Sequence, residues 1–149
     1  MSTDLSPTPS LAHVRAELHA APAPRVPALF CPFEPAIHAD VSAVQSASVA
    51  WAHAQGLALG ERAEKRLHAS KIAWLVSRAY PAGDRAALQI AADWTTLFCL
   101  LDDHIERMES PAAVQDYLFQ LLAVAHGAAQ WTADPARRAM ADIRRRLEE

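Results

Sequence analysis

Asp102, Asp103 and Glu106 close a helix-like segment whose preceding residues, Ala91-Ala-Asp-Trp-Thr-Thr-Leu-Phe-Cys-Leu-Leu101, are almost all apolar. At 3.6 residues per turn, Asp102 and Glu106 share one face, about 6 Å apart along the axis. Two carboxylates so placed repel one another unless a positive charge lies beside them. Arg107 is the only local cation, and its position points it to a different face from Asp102. A hard divalent ion resolves the conflict. Mg²⁺ takes oxygen ligands, keeps several waters, and binds through one or two carboxylates together with phosphate oxygens. The competing reading is plain: acidic residues after an apolar run also mark the point where a helix emerges into water, and a bare DDxxE is short and common.

Phe98 and Cys99 precede Asp102 by four and three positions, on its side of the helix and one turn nearer the N-terminus. Together these residues describe a metal rim above an apolar wall. An allylic diphosphate needs that combination, although Phe98 also suits an ordinary core position.

The elements that must position these groups are helical. The spacing predicts helices over about 37–55, ended by Gly56, over about 61–79, halted by Tyr80-Pro81-Ala82-Gly83, and from Asp84 to about 108. Ser110-Pro111 and Asp134-Pro135 each pair an N-cap with proline at the first helical position, opening two more helices. No strand signal intervenes, so the fold class is all-α. Residues 1–35 form a proline-rich extension, largely irregular, with a short helix over 10–20 compatible with its composition. Residues 36–149 form the helical domain.

Composition excludes several classes. Hydrophobic residues make up 52% and charged residues 21% of 149, ordinary values for a globular chain. A net charge of −3 offers no basic field for nucleic acid, and the Arg137/Arg138 and Arg144 to Arg146 clusters read as a solvated helix face. The two cysteines, Cys31 and Cys99, have no metal-type spacing and suggest no disulfide framework. The N-terminus lacks a signal-peptide pattern, and the apolar run 97–101 is far too short to span a membrane. The expected compartment is the cytoplasm. The seven histidines show no zinc or di-iron pairing, and no glycine-rich phosphate loop is present.

The ordered set of motifs resembles the bacterial class I terpene synthases. The pieces are Cys31-Pro32-Phe33, Trp51-Ala52, Trp74-Leu75-Val76-Ser77-Arg78-Ala79-Tyr80-Pro81, Ala92-Asp93-Trp94 and Asp102-Asp103-His104-Ile105-Glu106. The resemblance covers roughly residues 30–149 and implies part of the α-helical bundle of the isoprenoid synthase fold. It further implies Mg²⁺-dependent ionisation and cyclisation of a linear prenyl diphosphate such as farnesyl or geranyl diphosphate. In that family the first aspartate, here Asp102, bridges metal ions, Glu106 assists, and Asp103 supports more by hydrogen bonds or salt bridges than by ligation. Phe98 and Cys99 then line the substrate pocket.

The family's second metal motif, Asn-Asp-x-x-Ser-x-x-x-Glu, is absent, and the chain contains no asparagine at all. The expectation is therefore the N-terminal part of a terpene synthase, either a fragment or a catalytically dead relic. Such a chain is inactive alone and inclined to dimerise or to associate with a missing C-terminal half. Two other readings stand beside it: a non-catalytic helical interaction domain, and a chain-elongating prenyl diphosphate synthase. Arg107-Met108-Glu109-Ser110 fits the second of these poorly.

Overall fold

The computed structural model describes residues 30, 32–128 and 133–149. The chain divides into two units, 1–34 and 35–149. Of the first, Phe30, Pro32, Phe33 and Glu34 are described, all exposed; Cys31 and the helix expected over 10–20 lie outside the described residues. The second unit is helical, and among the described residues there is no strand. Its helices are α1 (Val41–Ala54), α2 (Glu61–Ser70), α3 (Ile72–Ala79), α4 (Arg85–Ile105), α5 (Pro111–Ala125) and α6 (Pro135–Glu148).

Helix α1 buries Val41, Val44, Ser48, Val49 and Ala52, a stripe at three- and four-residue spacing. It begins four residues later than the expected Ile37 because His38 fixes the approach. The His38 amide donates to Ser77 O at 3.1 Å, its Nδ1 accepts from the Asp40 amide at 3.0 Å, and its Nε2 donates to Gly83 O at 3.0 Å. The exit follows the glycine rule. Gly56 adopts φ +75°, its amide reaches His53 O and that of Leu57 reaches Ala52 O, both at 2.9 Å. This left-handed closure satisfies the last carbonyls of the helix.

The single helix expected over 61–79 is two. Lys71 takes the left-handed conformation, φ 51°, ψ 41°, and separates polar α2, which buries only Leu67, from α3, which buries Ile72, Ala73, Val76 and Ser77. Polar groups tolerate the break. Ser70 Oγ donates to Leu67 O at 2.6 Å, and Gln45 Oε1 accepts from the Ala73 amide at 3.1 Å, taking one of the donors that a helix start leaves unpaired.

The caps read in the sequence are formed. Asp84 accepts from the amides of Ala86 and Ala87 at 3.0 and 3.1 Å, Ser110 from Ala113 at 3.4 Å, and Asp134 from Arg137 at 2.9 Å.

Helix α4 is the central rail. Its first half joins a core with Val44, Val49, Ala52, Leu67 and Val76, through Leu88 and Ala92. Its second half contributes Leu97 to a core with Leu121, Val124, Ala139, Met140 and Ile143. Trp51 and Leu57 pack against both.

The arginines of α6 correct the solvated-face expectation. Arg138 donates to Gln55 O at 2.8 Å, closing the end of α1. The guanidinium of Arg144 lies over Gly127, where an added Cβ would meet it at 2.8 Å. Arg137 stacks on Tyr117 at 5.5 Å from the ring centre. Arg146 reaches Asp93 at 2.8 Å, with the carboxylate fully buried.

Candidate functional site

Position α4 between two cores and only one of its faces is covered. Leu88, Ala92, Asp93, Thr96 and Leu97 are buried. On the other side, Trp94 is 44% and Phe98 63% exposed, and Cys99, Asp102 and Glu106 are exposed as well. A helix apolar on both faces is normally buried on both, so this open stripe is a surface feature that asks for an explanation.

The three acidic residues separate. Asp102 and Glu106 project from the open side, one turn apart, and neither carboxylate has an ion-pair or hydrogen-bond partner among the described residues. Asp103 turns the other way: Arg66 Nη2 on α2 donates to its Oδ2 at 3.2 Å. Asp103 also lines a groove of about 650 Å³ between α2 and α4, with Arg66, Leu67, Cys99, Leu100 and Arg107. The described residues hold no group of three or more His, Cys, Asp or Glu side chains placed to share one metal ion. The geometry therefore offers a pair of carboxylates open to solvent and a third engaged elsewhere.

Cys99 and Phe98 sit a turn before the acidic pair, but they diverge. Phe98 stands in the open stripe, whereas Cys99 borders the α2–α4 groove. Partial desolvation, reinforced by the charges of Asp102 and Asp103, pushes the Cys99 thiol up, so it remains a neutral thiol and a poor nucleophile. His104 is exposed on another side, its ring against Tyr117 at 5.1 Å.

Sequence reasoning passed over the polar network beneath the site. Asp93 pairs with Arg146 and accepts from Gln89 Nε2 at 2.9 Å. Arg146 also lies 3.0 Å from Asp142 and over the Trp51 ring at 5.6 Å. Trp51 Nε1 donates to Asp142 at 2.8 Å. Burial pushes Asp93 up, against the pull of Arg146, Ser48 and Gln89. At Asp142 burial acts in the same direction, but donation from Arg145 and Trp51 and the Arg146 charge outweigh it and hold the carboxyl low. The available signal was an aspartate inside an otherwise apolar helix, which demands a buried partner.

No family model matches the chain. It is 34% identical over 134 residues to the bonnadiene synthase of Allokutzneria albata, covering 82% of this chain and 37% of that one. It is also 37% identical over 125 residues to a (+)-T-muurolol synthase of Roseiflexus castenholzii, which cyclises (2E,6E)-farnesyl diphosphate, covering 80% of this chain and 37% of that one. The chain belongs to the terpene synthase family. Its helices superpose on hedycaryol synthase in complex with HEPES with a TM-score of 0.70 and 26% identity, over 81% of this chain and 40% of that one. This terpene synthase chain thus has the α-helical isoprenoid synthase fold, and it spans just over a third of the length of the curated relatives it matches. No helix among the described residues is long and apolar enough to cross a membrane.

Proposed function

We propose that the chain is the N-terminal portion of a class I terpene synthase that ionises and cyclises a linear prenyl diphosphate with the help of Mg²⁺. One observation carries the reading: Asp102 and Glu106 stand at the end of the exposed apolar stripe formed by Trp94 and Phe98, with no ion-pair or hydrogen-bond partner among the described residues. Paired carboxylates of this kind fit a hard divalent ion that draws its other ligands from water and diphosphate. Bound there, the ion would supply the Lewis acidity that neutralises a leaving diphosphate. Asp102 and Glu106 hold the charged end of the substrate at the rim. Phe98, one turn inward, presents a ring to the hydrocarbon and to the positive charge that develops on it. Farnesyl diphosphate is the substrate class favoured, since the T-muurolol relative is a farnesyl diphosphate cyclising enzyme.

On this reading the uncovered face of α4 is one wall of the reaction cavity. The groove of about 600 Å³ among Leu75, Tyr80, Ala91, Trp94, Ile143 and Leu147 is the seat for helices that close the cavity against water. Those helices belong to the part of the fold that the relatives have and this chain does not cover. The compartment assumed is the reducing cytoplasm, with Cys99 a free thiol.

Calorimetric titration of the chain with a non-hydrolysable farnesyl diphosphate analogue tests the assignment. Binding is expected to require Mg²⁺ and to disappear in Asp102→Ala. Equal binding with and without the metal would favour a helical interaction domain instead.

A further inference from the structure

Little ties helix α2 to the rest of the fold. Leu67 is its one buried side chain, with Ala63 half-buried beside it against the first core. Its ion pair to α4, Arg66 with Asp103, is exposed on both sides, and exposed pairs contribute little. The chain on either side of the helix is firmly held. Ala58 is buried before it, and Ile72 and Ala73 are buried after it. Between anchor and helix, each end has one special backbone position. Gly60 adopts φ 90° and ψ 153°, a region that essentially only glycine enters. A Cβ added there would meet nothing within 4 Å, so the glycine supplies conformation and not space. Lys71, at φ 51°, is the one non-glycine residue with positive φ among the described residues. Room to move lies alongside: the groove of about 650 Å³ between α2 and α4 is lined by Leu57, Leu67, Ile72, Cys99 and Leu100. Unusual backbone at both ends of a loosely packed element points to a conformational role.

We infer that α2 is a hinged flap: it turns as one body about Gly60 and Lys71, narrowing and opening the groove along α4. Inward travel shields Cys99 and Leu100 from water, and outward travel exposes Leu67. The hydrogen bonds within α2 survive both movements, because two terminal residues absorb the change in backbone angles. The flap stands on the packing and joints of α2 and does not depend on metal binding at Asp102 and Glu106.

Backbone ¹⁵N relaxation dispersion on the whole chain tests this, since lid movements fall in the microsecond-to-millisecond range that the method reads. Residues 59–72 are expected to share one exchange rate and one minor population, while α1 and the rest of α3 give flat profiles. The largest shift differences should fall at 59–61 and 70–72, with those inside α2 far from the values of an unfolded chain. Leu67→Ala is expected to raise the minor population by about tenfold or more, through the loss of the one buried anchor. Arg66→Gln should change it by less than about threefold. Flat profiles over 59–72, unrelated rates at the two joints, or minor-state shifts equal to those of an unfolded chain would each overturn the flap.

Discussion

Arg146 and Asp93, fifty-three residues apart in sequence, meet at 2.8 Å with the carboxylate 1% exposed, and they tie α6 to the middle of α4. The pair lies on the covered face of the same helix, about two and a half turns before the acidic rim. Whatever chemistry Asp102 supports, the rail that carries it is held from behind by this contact and by Trp51 and Asp142 beside it.

Removing one partner of this pair is predicted to be costly. Arg146→Met strands a buried acid and should destabilise the chain by about 3–5 kcal/mol in denaturant unfolding, whereas Asp93→Leu with Arg146→Met should recover much of the loss. The pH dependence has a definite sign. Burial raises the Asp93 pKa in the folded state, so its contribution is fullest below the ordinary carboxylate pKa and declines as pH rises through the folded value. The penalty in Arg146→Met should therefore be larger at neutral pH than in mild acid; a penalty independent of pH would contradict the buried charge.

Tyr117 gives a second titration. Burial, then the Asp134 charge, pushes its phenol up to about 12, with Arg137 opposing. Since the folded pKa exceeds the usual value near 10, the stabilisation is intact below about pH 10 and is lost as pH climbs toward 12. Ultraviolet difference titration should show a late phenolate step that Tyr117→Phe abolishes. If that variant removes an ordinary step instead, the enclosed position of the ring is wrong.

At Lys71 the prediction concerns the backbone. Its φ of 51° suits glycine or asparagine and penalises a branched side chain. Lys71→Val should cost about 1–2 kcal/mol and Lys71→Asn well under 1 kcal/mol in thermal unfolding. Equal effects would mean that α2 and α3 run on as one helix.

Turnover is the fourth case. Incubated with farnesyl diphosphate and Mg²⁺, the chain by itself is expected to yield no terpene by gas chromatography, because the proposed cavity has one wall. Cyclised product above a boiled control would show that the described helices suffice.

Much of this architecture was legible because its signals are local. Asp84, Ser110 and Asp134 announce helix starts through hydrogen bonds that span three residues, and Gly56 ends α1 where only a positive φ will serve. The break at Lys71 was hidden, since neither glycine nor proline marks it and a lone lysine carries no left-handed preference. The arginines of α6 were misread for a related reason. A cluster on a polar helix looks like a solvated face until the partners, Gln55 O and Asp93, are brought up from distant parts of the chain. The acidic site divides the same way: that Asp102 and Glu106 share a face follows from helical periodicity, but the Arg66–Asp103 contact depends on how α2 packs against α4.

The placement of Arg138, Arg144 and Arg146 has a bearing on synthesis. All three contacts, with the end of α1, the turn after α5 and the centre of α4, come from α6, which is made after the helices it touches. A nascent chain leaving the ribosome brings out Asp93 before Arg146, its ion-pair partner on α6, has been made. Chaperone engagement on this polypeptide should accordingly be heaviest just before Pro135 is translated and fall away within the next few turns of helix.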